Sequence, residues 1–362
     1  MANEAPPARL RVGILGASGY GGAGLIERLA RHPRVRVEAV GSRQYEGEPV
    51  AASWPQLAGL FEDLRFESTE QVLERSDVIF CATPHGATAP MVAQALEAGL
   101  RVVDLSADFR LDPDTYRTWY GAEHPHPELF SVARYGLVEL HREELVGARL
   151  VASPGCNATA ASLALAPLAA AGLLGSSAVV NVVTGVSGAG RAPSQALHYT
   201  EVNENARVYK PAGTHRHTAE IEATVGRARV GGKRLVTHEP FEPFPVSFTP
   251  HLVPMSRGIL ATCTTPAPGG ELDDDALLQV FADYYQDDPL VVVQADLPQT
   301  KAVAGSDRAV LSARVDARTG HVVAFCAIDN LGKGAAGQAV QGFNVAFGFE
   351  ETAGLTSGGI WP

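Results

Sequence analysis

The sequence predicts an α/β protein of two domains, and three observations carry that prediction. Its 362 residues exceed what one hydrophobic core ordinarily serves. Residues 10–155 alternate short apolar runs with longer amphipathic stretches, the order of a parallel sheet wound with helices on both faces. From about Cys156 the apolar runs crowd together with few helical patterns between them, which suggests a mostly antiparallel sheet carrying one or two helices.

In the first part, LRVGIL leads into a helix from Gly22 to His32, and VRVEAVGS, DVIFCA, a helix near Ala89–Ala98 and LRVVDLSA follow. Strands and helices in this alternation make a Rossmann-type domain. The second part opens with a long Ala/Leu helix, NATAASLALAPLAAAGLL, and continues through SAVVNVVTGV, KRLVTHEPF, GILATCTT, PLVVVQA, RAVLSARVD and HVVAFCAID as apolar runs of the second sheet. The proline-rich PFEPFPVSFTPHLVP reads as an extended loop. The closing segment, NLGKGAAGQAVQGFNVAFGF, has apolar residues at helical spacing and either caps the second domain or returns to the first.

With 46% hydrophobic and 19% charged residues the chain is globular, and its formal net charge of −11 disfavours nucleic acid and anionic membrane surfaces. Any phosphate must be held by local geometry. No stretch reaches the roughly 20 apolar residues of a membrane span, and no apolar leader opens the chain. Cys81, Cys156, Cys263 and Cys326 lie far apart without a C-x-x-C pair, so neither a zinc site nor a disulfide framework is expected. A reducing cytoplasm is the expected home.

The first apolar run opens into Gly13-x-x-Gly16-x-x-Gly19, with Gly21 and Gly22 behind it. Glycines at a strand-to-helix turn let the backbone approach a pyrophosphate, whose charge is met by N–H groups at the helix start. The spacing is not the usual G-x-G-x-x-G, so a plain tight turn stays open as the alternative. At the end of the next strand, where an NAD enzyme places a carboxylate, stand Ser42 and Arg43. A hydroxyl and a guanidinium suit a 2′-phosphate and hence NADP, although a solvated arginine at a strand end is common.

Three of the cysteines sit inside apolar runs and read as small buried hydrophobes. Cys156 follows Ser153-Pro154-Gly155 and begins a helix, where the positive end of the helix dipole favours a thiolate nucleophile. Position alone leaves reactive and inert evenly matched. A histidine must take the thiol proton, and His215-Arg216-His217-Thr218-Ala219-Glu220 stands out among the 11 histidines for packing two imidazoles, a guanidinium and a carboxylate together. Without a partner cluster, acid–base work or a structural hydrogen bond fits this run better than a metal. Gly185–Arg191, GVSGAGR, is either an amide-rich loop holding an anion or an ordinary glycine turn.

The whole chain resembles the N-acetyl-γ-glutamyl-phosphate reductase family, NADPH-dependent enzymes of arginine biosynthesis related to aspartate-semialdehyde dehydrogenase. The matching segments are GASGYGG, PHGAT, DLSADFRL, YGLVEL, SPGC, GVSGAGR, EVNEN, THRHTAEIE, FTPHLVPMSRGIL and DNLGKGAAGQAVQGFN, in family order from end to end. The resemblance implies reduction of N-acetyl-γ-glutamyl phosphate to the γ-semialdehyde, with release of phosphate and a cysteine thioester on the way. It makes Cys156 the nucleophile and His217 the acid–base, with Glu220 supporting His217. It assigns Gly16, Ser18, Gly19, Tyr20, Gly21, Ser42, Arg43, Pro84, Ser187, Gly188 and Asn330 to the NADP site, Ser187 and Gly188 near the substrate as well. Arg110, Asn157, Arg191 and His215 fall to the substrate, and no metal is implied. The family fold implies a cofactor domain of residues 1–155 and 330–362, a catalytic and oligomerisation domain of 156–329, and a homodimer or homotetramer. One departure stands at the nucleophile, where arginine-pathway enzymes usually read GCYPT and this chain reads GCNATA. That run looks more like sister enzymes of the aminoadipate route to lysine, whose substrate is tethered to a small carrier protein. A non-phosphorylating NADP-dependent aldehyde dehydrogenase is a further rival, separated by phosphate dependence.

Overall fold

The computed structural model describes residues 9–267 and 272–361; residues 1–8, on which the expectation of no apolar leader partly falls, lie outside these, as does residue 362. The first half runs β1 (Leu10–Leu15), α1 (Tyr20–Ala30), β2 (Val35–Gly41), α2 (Val50–Ser53), β3 (Phe66–Glu67), α3 (Thr69–Glu74) and β4 (Val78–Cys81). It continues through α4 (Ala89–Glu97), β5 (Arg101–Asp104), α5 (Pro113–Tyr120), β6 (Ala133–Tyr135), α6 (Val138–Leu145) and β7 (Leu150–Ala152). These strands form one sheet in the order β3-β2-β1-β4-β5-β7-β6, and every pairing in it is parallel. Val12 and Ile14 of β1 are fully buried, as are Leu25, Ile26 and Leu29 of α1 packed over them. Apolar alternation in the sequence has become apolar faces in the layers.

The second half runs α7 (Cys156–Ala170), β8 (Ala178–Gly185), α8 (Tyr199–Val202), β9 (Arg207–Val208), α9 (His217–Gly231), β10 (Val246–Val253) and β11 (Ile259–Pro266). Then come α10 (Asp274–Tyr285), β12 (Val291–Val293), α11 (Thr300–Val303), β13 (Ala309–Asp316) and β14 (His321–Ile328), a π turn at Gly332–Ala336, and α12 (Gly337–Phe347). The second sheet has the order β12-β13-β14-β11-β8-β10-β9; β12–β13 and β8–β10 are parallel and the other pairs antiparallel. The sheet is mixed, with antiparallel pairing in the majority. Helix α7 is apolar all round and buried on all sides from Asn157 to Ala169, as such a helix must be. Val340 and Phe343 of α12 join Val12, Ile14 and Phe80 in one core, so the closing helix packs on the first sheet.

Three details differ from the sequence expectation. Helix α1 starts at Tyr20 and ends at Ala30, which brings Tyr20 and Gly21 into its first turn. Residues Val246–Val253, expected as loop for their prolines, form β10 beside β8. Pro250 is tolerated because its carbonyl accepts from Tyr209 N on the outer side, so its missing N–H falls on the same edge, which β9 covers only at His251 and Leu252. Conversely, KRLVTHEPF is no strand: Leu235 N donates to Leu140 O, and Thr237 is tied to the Glu144 carboxylate of α6. Backbone groups spent on α6 are unavailable to a ladder.

Candidate active site

Between the two sheets lies a cavity of about 860 Å³, and its walls come from both halves. On the first side, β1 ends in a tight turn where Gly16 has φ +80°, and a Cβ there would stand 2.6 Å from the Ala82 carbonyl oxygen. Only glycine fits. Gly19 caps α1 without a side-chain bond, which leaves first-turn N–H groups of Tyr20 and Gly21 without intrahelical acceptors at the cavity wall. Ser18 Oγ lies 2.9 Å from Ser42 Oγ at the end of β2, with exposed Arg43 next to it. Gly16, Ser18, Gly19, Tyr20, Gly21, Ser42, Arg43, Pro84, Ser187, Gly188 and Asn330 all line this one cavity. The turn's own Gly16, Ala17 and Gly19 amides are bonded to Gly41 O and Gly16 O, and the Tyr20 and Gly21 amides at the helix start, open to a long cleft, fit a dinucleotide pyrophosphate. Asn330 Nδ2 donates to Ser187 Oγ at 2.9 Å and its Oδ1 accepts from Gly258 N at 2.8 Å, fixing the far wall.

Cys156, Arg110 and His217 line the inner end of the same cavity. Cys156 is the first residue of α7, and the backbone N–H groups of Cys156 and Asn157 point to its sulfur. Burial nevertheless outweighs those dipoles and the Arg110 charge, and pushes the thiol up to about 11. The helix start alone does not make a standing thiolate here. His217, first residue of α9, is driven down to about 3, by burial first and by the charges of Arg110 and Lys210 after it. Its imidazole packs directly on Gly155, where a Cβ would stand 2.3 Å from Nε2. On the other side of the cysteine, a Cβ on Gly334 of the π turn would come within 2.8 Å of the Cys156 Cβ. Two glycines make the room for this thiol and its histidine.

Glu220 lies one turn along α9, with Oε1 4.0 Å from His217 Nε2, beyond hydrogen-bond reach. The expected direct support of His217 is therefore not made. Its carboxylate instead accepts from Gly155 N and Tyr135 OH, each at 2.9 Å, and from Arg110 Nη1 at 3.2 Å. Glu220 thus holds the residue before the cysteine and the guanidinium beside it. Arg110 Nη2 donates to Leu105 O, while its Nε is buried without a partner, as are Ser153 Oγ, Asn157 Oδ1 and His217 Nδ1. Of these, Arg110, Ser153 and His217 line the cavity with Cys156, and buried polar atoms without partners there mark a place where a polar ligand completes the bonding.

The remaining expected substrate residues make contacts within the protein. His215 sits behind His217, its Nδ1 accepting from His217 N at 3.1 Å, and it packs against Phe248 rather than lining the cavity. Asn157 points its amide at Tyr209 OH, 3.3 Å away. Arg191 reaches the glycine turn, donating to Ser18 O and Ser53 O, far along the cleft from the thiol end. Tyr135 falls in a segment the sequence singled out, but nothing marked its bond to Glu220; Tyr209 and Trp54 carried no signal at all. Asp108, like Tyr135, falls in a matched segment, DLSADFRL, without a role having been marked; it accepts from Gly86 N and Ala89 N to hold the Pro84–Thr88 loop.

Comparison with known proteins agrees with this architecture. Residues 11–148 match the model of the semialdehyde dehydrogenase NAD binding domain, and residues 156–330 that of the semialdehyde dehydrogenase dimerisation domain. Among solved structures, aspartate semialdehyde dehydrogenase with NADP from Candida albicans superposes with a TM-score of 0.69 at 17% identity, covering 93% of this chain and 98% of that one. At that identity the likeness shows the fold. N-acetyl-gamma-glutamyl-phosphate reductase of Thermus thermophilus is 50% identical over 97% of this chain and 100% of its own length. The reductase of the same name from Desulforudis audaxviator is 46% identical over 98% of this chain and its own full length. On these likenesses the chain belongs to the N-acetyl-gamma-glutamyl-phosphate reductase family, within the semialdehyde dehydrogenases.

Proposed function

We propose that the protein reduces N-acetyl-γ-glutamyl phosphate to N-acetylglutamate γ-semialdehyde with NADPH, releasing phosphate, in arginine biosynthesis. The observation that carries the reading is the sharing of one cavity by the glycine turn at one end and Cys156, His217 and Arg110 at the other. The relatives' names favour the acetylglutamyl substrate over the carrier-linked one that GCNATA suggested. NADP over NAD rests on Ser18, Ser42 and Arg43 at the end of β2, with Glu67 nearby already paired to Arg75. The cofactor domain takes the described residues of 1–155 and 330–362, and the catalytic and oligomerisation domain those of 156–329.

His217, neutral in its buried position, takes the Cys156 proton as the sulfur attacks the acyl carbon. The bond from carbon to the phosphate oxygen breaks, phosphate leaves, and a thioester remains on Cys156. A nicotinamide dinucleotide, held by the glycine turn at Gly16–Gly21 and the wall at Ser187, Gly188 and Asn330, would supply the hydride that reduces the thioester. The N–H groups of Cys156 and Asn157 hold the negative charge on the substrate oxygen, and Arg110 accompanies the anionic substrate. His217 returns its proton to the sulfur as the aldehyde departs, while the leaving phosphate takes a proton from solvent and departs as hydrogen phosphate, so the net reduction consumes one solvent proton. Cys156→Ser should abolish turnover, a loss of at least about 10³-fold, while NADP binding by calorimetry stays near wild type. Retained turnover in that variant would remove the nucleophile from the account.

The chain forms a homo-oligomer, with a dimer as its unit, through the outer face of the second sheet. Val179, Val183, Leu260, Val323 and Phe325 stand on that face between threonines, and Val179 is 46% exposed. The matching family model is named for dimerisation, and all four cysteines are free, in keeping with a reducing cytoplasm. Among the described residues no helix is long and apolar enough to cross a membrane. Sedimentation should give a dimer or tetramer, and Val179→Lys with Phe325→Lys should shift it toward monomer. A monomeric parent protein would contradict the assignment.

A further inference from the structure

Arg191 stands at the end of the loop that follows β8, on the second half's side of the cleft, yet its head lies on the first half. Nη1 donates to Ser18 O at 3.0 Å and Nη2 to Ser53 O at 3.3 Å. The guanidinium carbon lies 4.3 Å over the centre of the Trp54 ring. Trp54 is 8% exposed, and its Nε1 donates to Ala17 O at 2.9 Å. Two successive carbonyls of the glycine turn, Ala17 and Ser18, are thus gripped by a stacked pair, Trp54 behind the turn and Arg191 on the cavity wall. A trans peptide points its N–H opposite to its C=O, so the grip on Ala17 O turns the Ser18 N–H away from Trp54. The large cavity lies on that side, since Ser18 lines it and Trp54 does not. A turn rich in glycine has no side chains of its own to fix this direction.

We propose that Arg191 is a positioning residue for the dinucleotide, clasping the glycine turn through Trp54 so that the Ser18 amide faces the pyrophosphate and the loop 185–191 lies over it. The proposal rests on the reading that a nicotinamide dinucleotide occupies the cleft. It replaces the substrate contact implied by family resemblance. Planarity is what the clasp needs: a guanidinium donates to two carbonyls while stacking on a ring, and an ammonium does not.

The chain has 3 tryptophans, so Trp119→Phe with Trp361→Phe leaves Trp54 as the sole reporter. In that parent, Arg191→Ala should make Trp54 of the cofactor-free protein more accessible to acrylamide. It should also raise the Kd of NADP, by calorimetry, roughly tenfold. The KM of the acyl substrate, taken at saturating cofactor, should rise by less than the Kd of NADP does. Arg191→Lys should recover only part of the affinity. Trp54→Phe, which keeps an aromatic face and loses the bond to Ala17 O, should weaken cofactor binding a few-fold even if Arg191→Ala fails to fold. An unchanged cofactor Kd in these variants, or a rise confined to the KM of the acyl substrate, overturns the clasp. A parent that binds neither NADP nor NAD overturns the clasp together with the cofactor reading beneath it.

Discussion

At Cys156 two effects of opposite sign meet. The start of α7 and the Arg110 charge pull the thiol toward thiolate, and burial pushes it further the other way, to about 11. With His217 at about 3, the pair is neutral on both members at pH 7, so attack and proton transfer must go together. Their registry then depends on how the imidazole is seated, and Gly155 seats it. The backbone of Gly155 is extended, with φ −72° and ψ 146°, a conformation that alanine adopts freely. Gly155→Ala should therefore leave the fold and cofactor binding intact while its Cβ, 2.3 Å from Nε2, displaces the ring. A fall in kcat/KM of about 10²-fold is the expected outcome. Steady-state kinetics showing near-normal kcat/KM would mean that the imidazole works from another position.

At the scale of elements, the π turn Gly332–Ala336 is the piece that both walls Cys156 and starts α12. Lys333 within it is fully buried, its ammonium bonded to the Glu139 carboxylate and to Gln341 Oε1. Removing one partner of such a pair leaves an uncompensated charge in the interior. Lys333→Met alone should cost about 3–5 kcal/mol in denaturant unfolding, and adding Glu139→Gln should restore much of it. Equal stability of the single and double variants would show that the charge is not what the pair contributes. The sequence marked this stretch only as a helix of apolar spacing, because a buried lysine is indistinguishable from an exposed one until the partner, 194 residues away, is in place. The same limit explains β10 and the KRLVTHEPF segment. Proline argued against a strand at Pro250, but only the neighbour's position reveals an edge with no donor required. The apolar run at 233–241 looked like a strand until α6 took its hydrogen bonds. Arg191 followed a loop that matched the family, yet the direction of its side chain depended on Trp54, which no pattern had marked.

Over the whole molecule, most of the architecture was legible because periodicity is a property of the chain itself. The alternation up to residue 155 became a parallel sheet, and the crowded runs beyond it a mixed one. The cavity between them was not legible, since it needs both halves at once. Arg28 of α1 and Asp307 before β13, both buried and 2.6 Å apart, help lock the halves together. In a chain of net charge −11, the cavity gathers positive charge at both ends, Arg43 and Arg191 beside the glycine turn where an anionic cofactor would lie and Arg110 beside Cys156 where an acyl phosphate would.

The most direct test of the account runs the reaction backwards. Purified protein is mixed with N-acetylglutamate γ-semialdehyde and either NADP or NAD, with and without inorganic phosphate, and the reduced cofactor is followed by absorbance. The account predicts reduction of NADP in preference to NAD, and only when phosphate is present to take the acyl group from Cys156. Steady reduction without phosphate would make the protein a non-phosphorylating aldehyde dehydrogenase. No reduction with phosphate present would show that acetylglutamate semialdehyde is not its substrate.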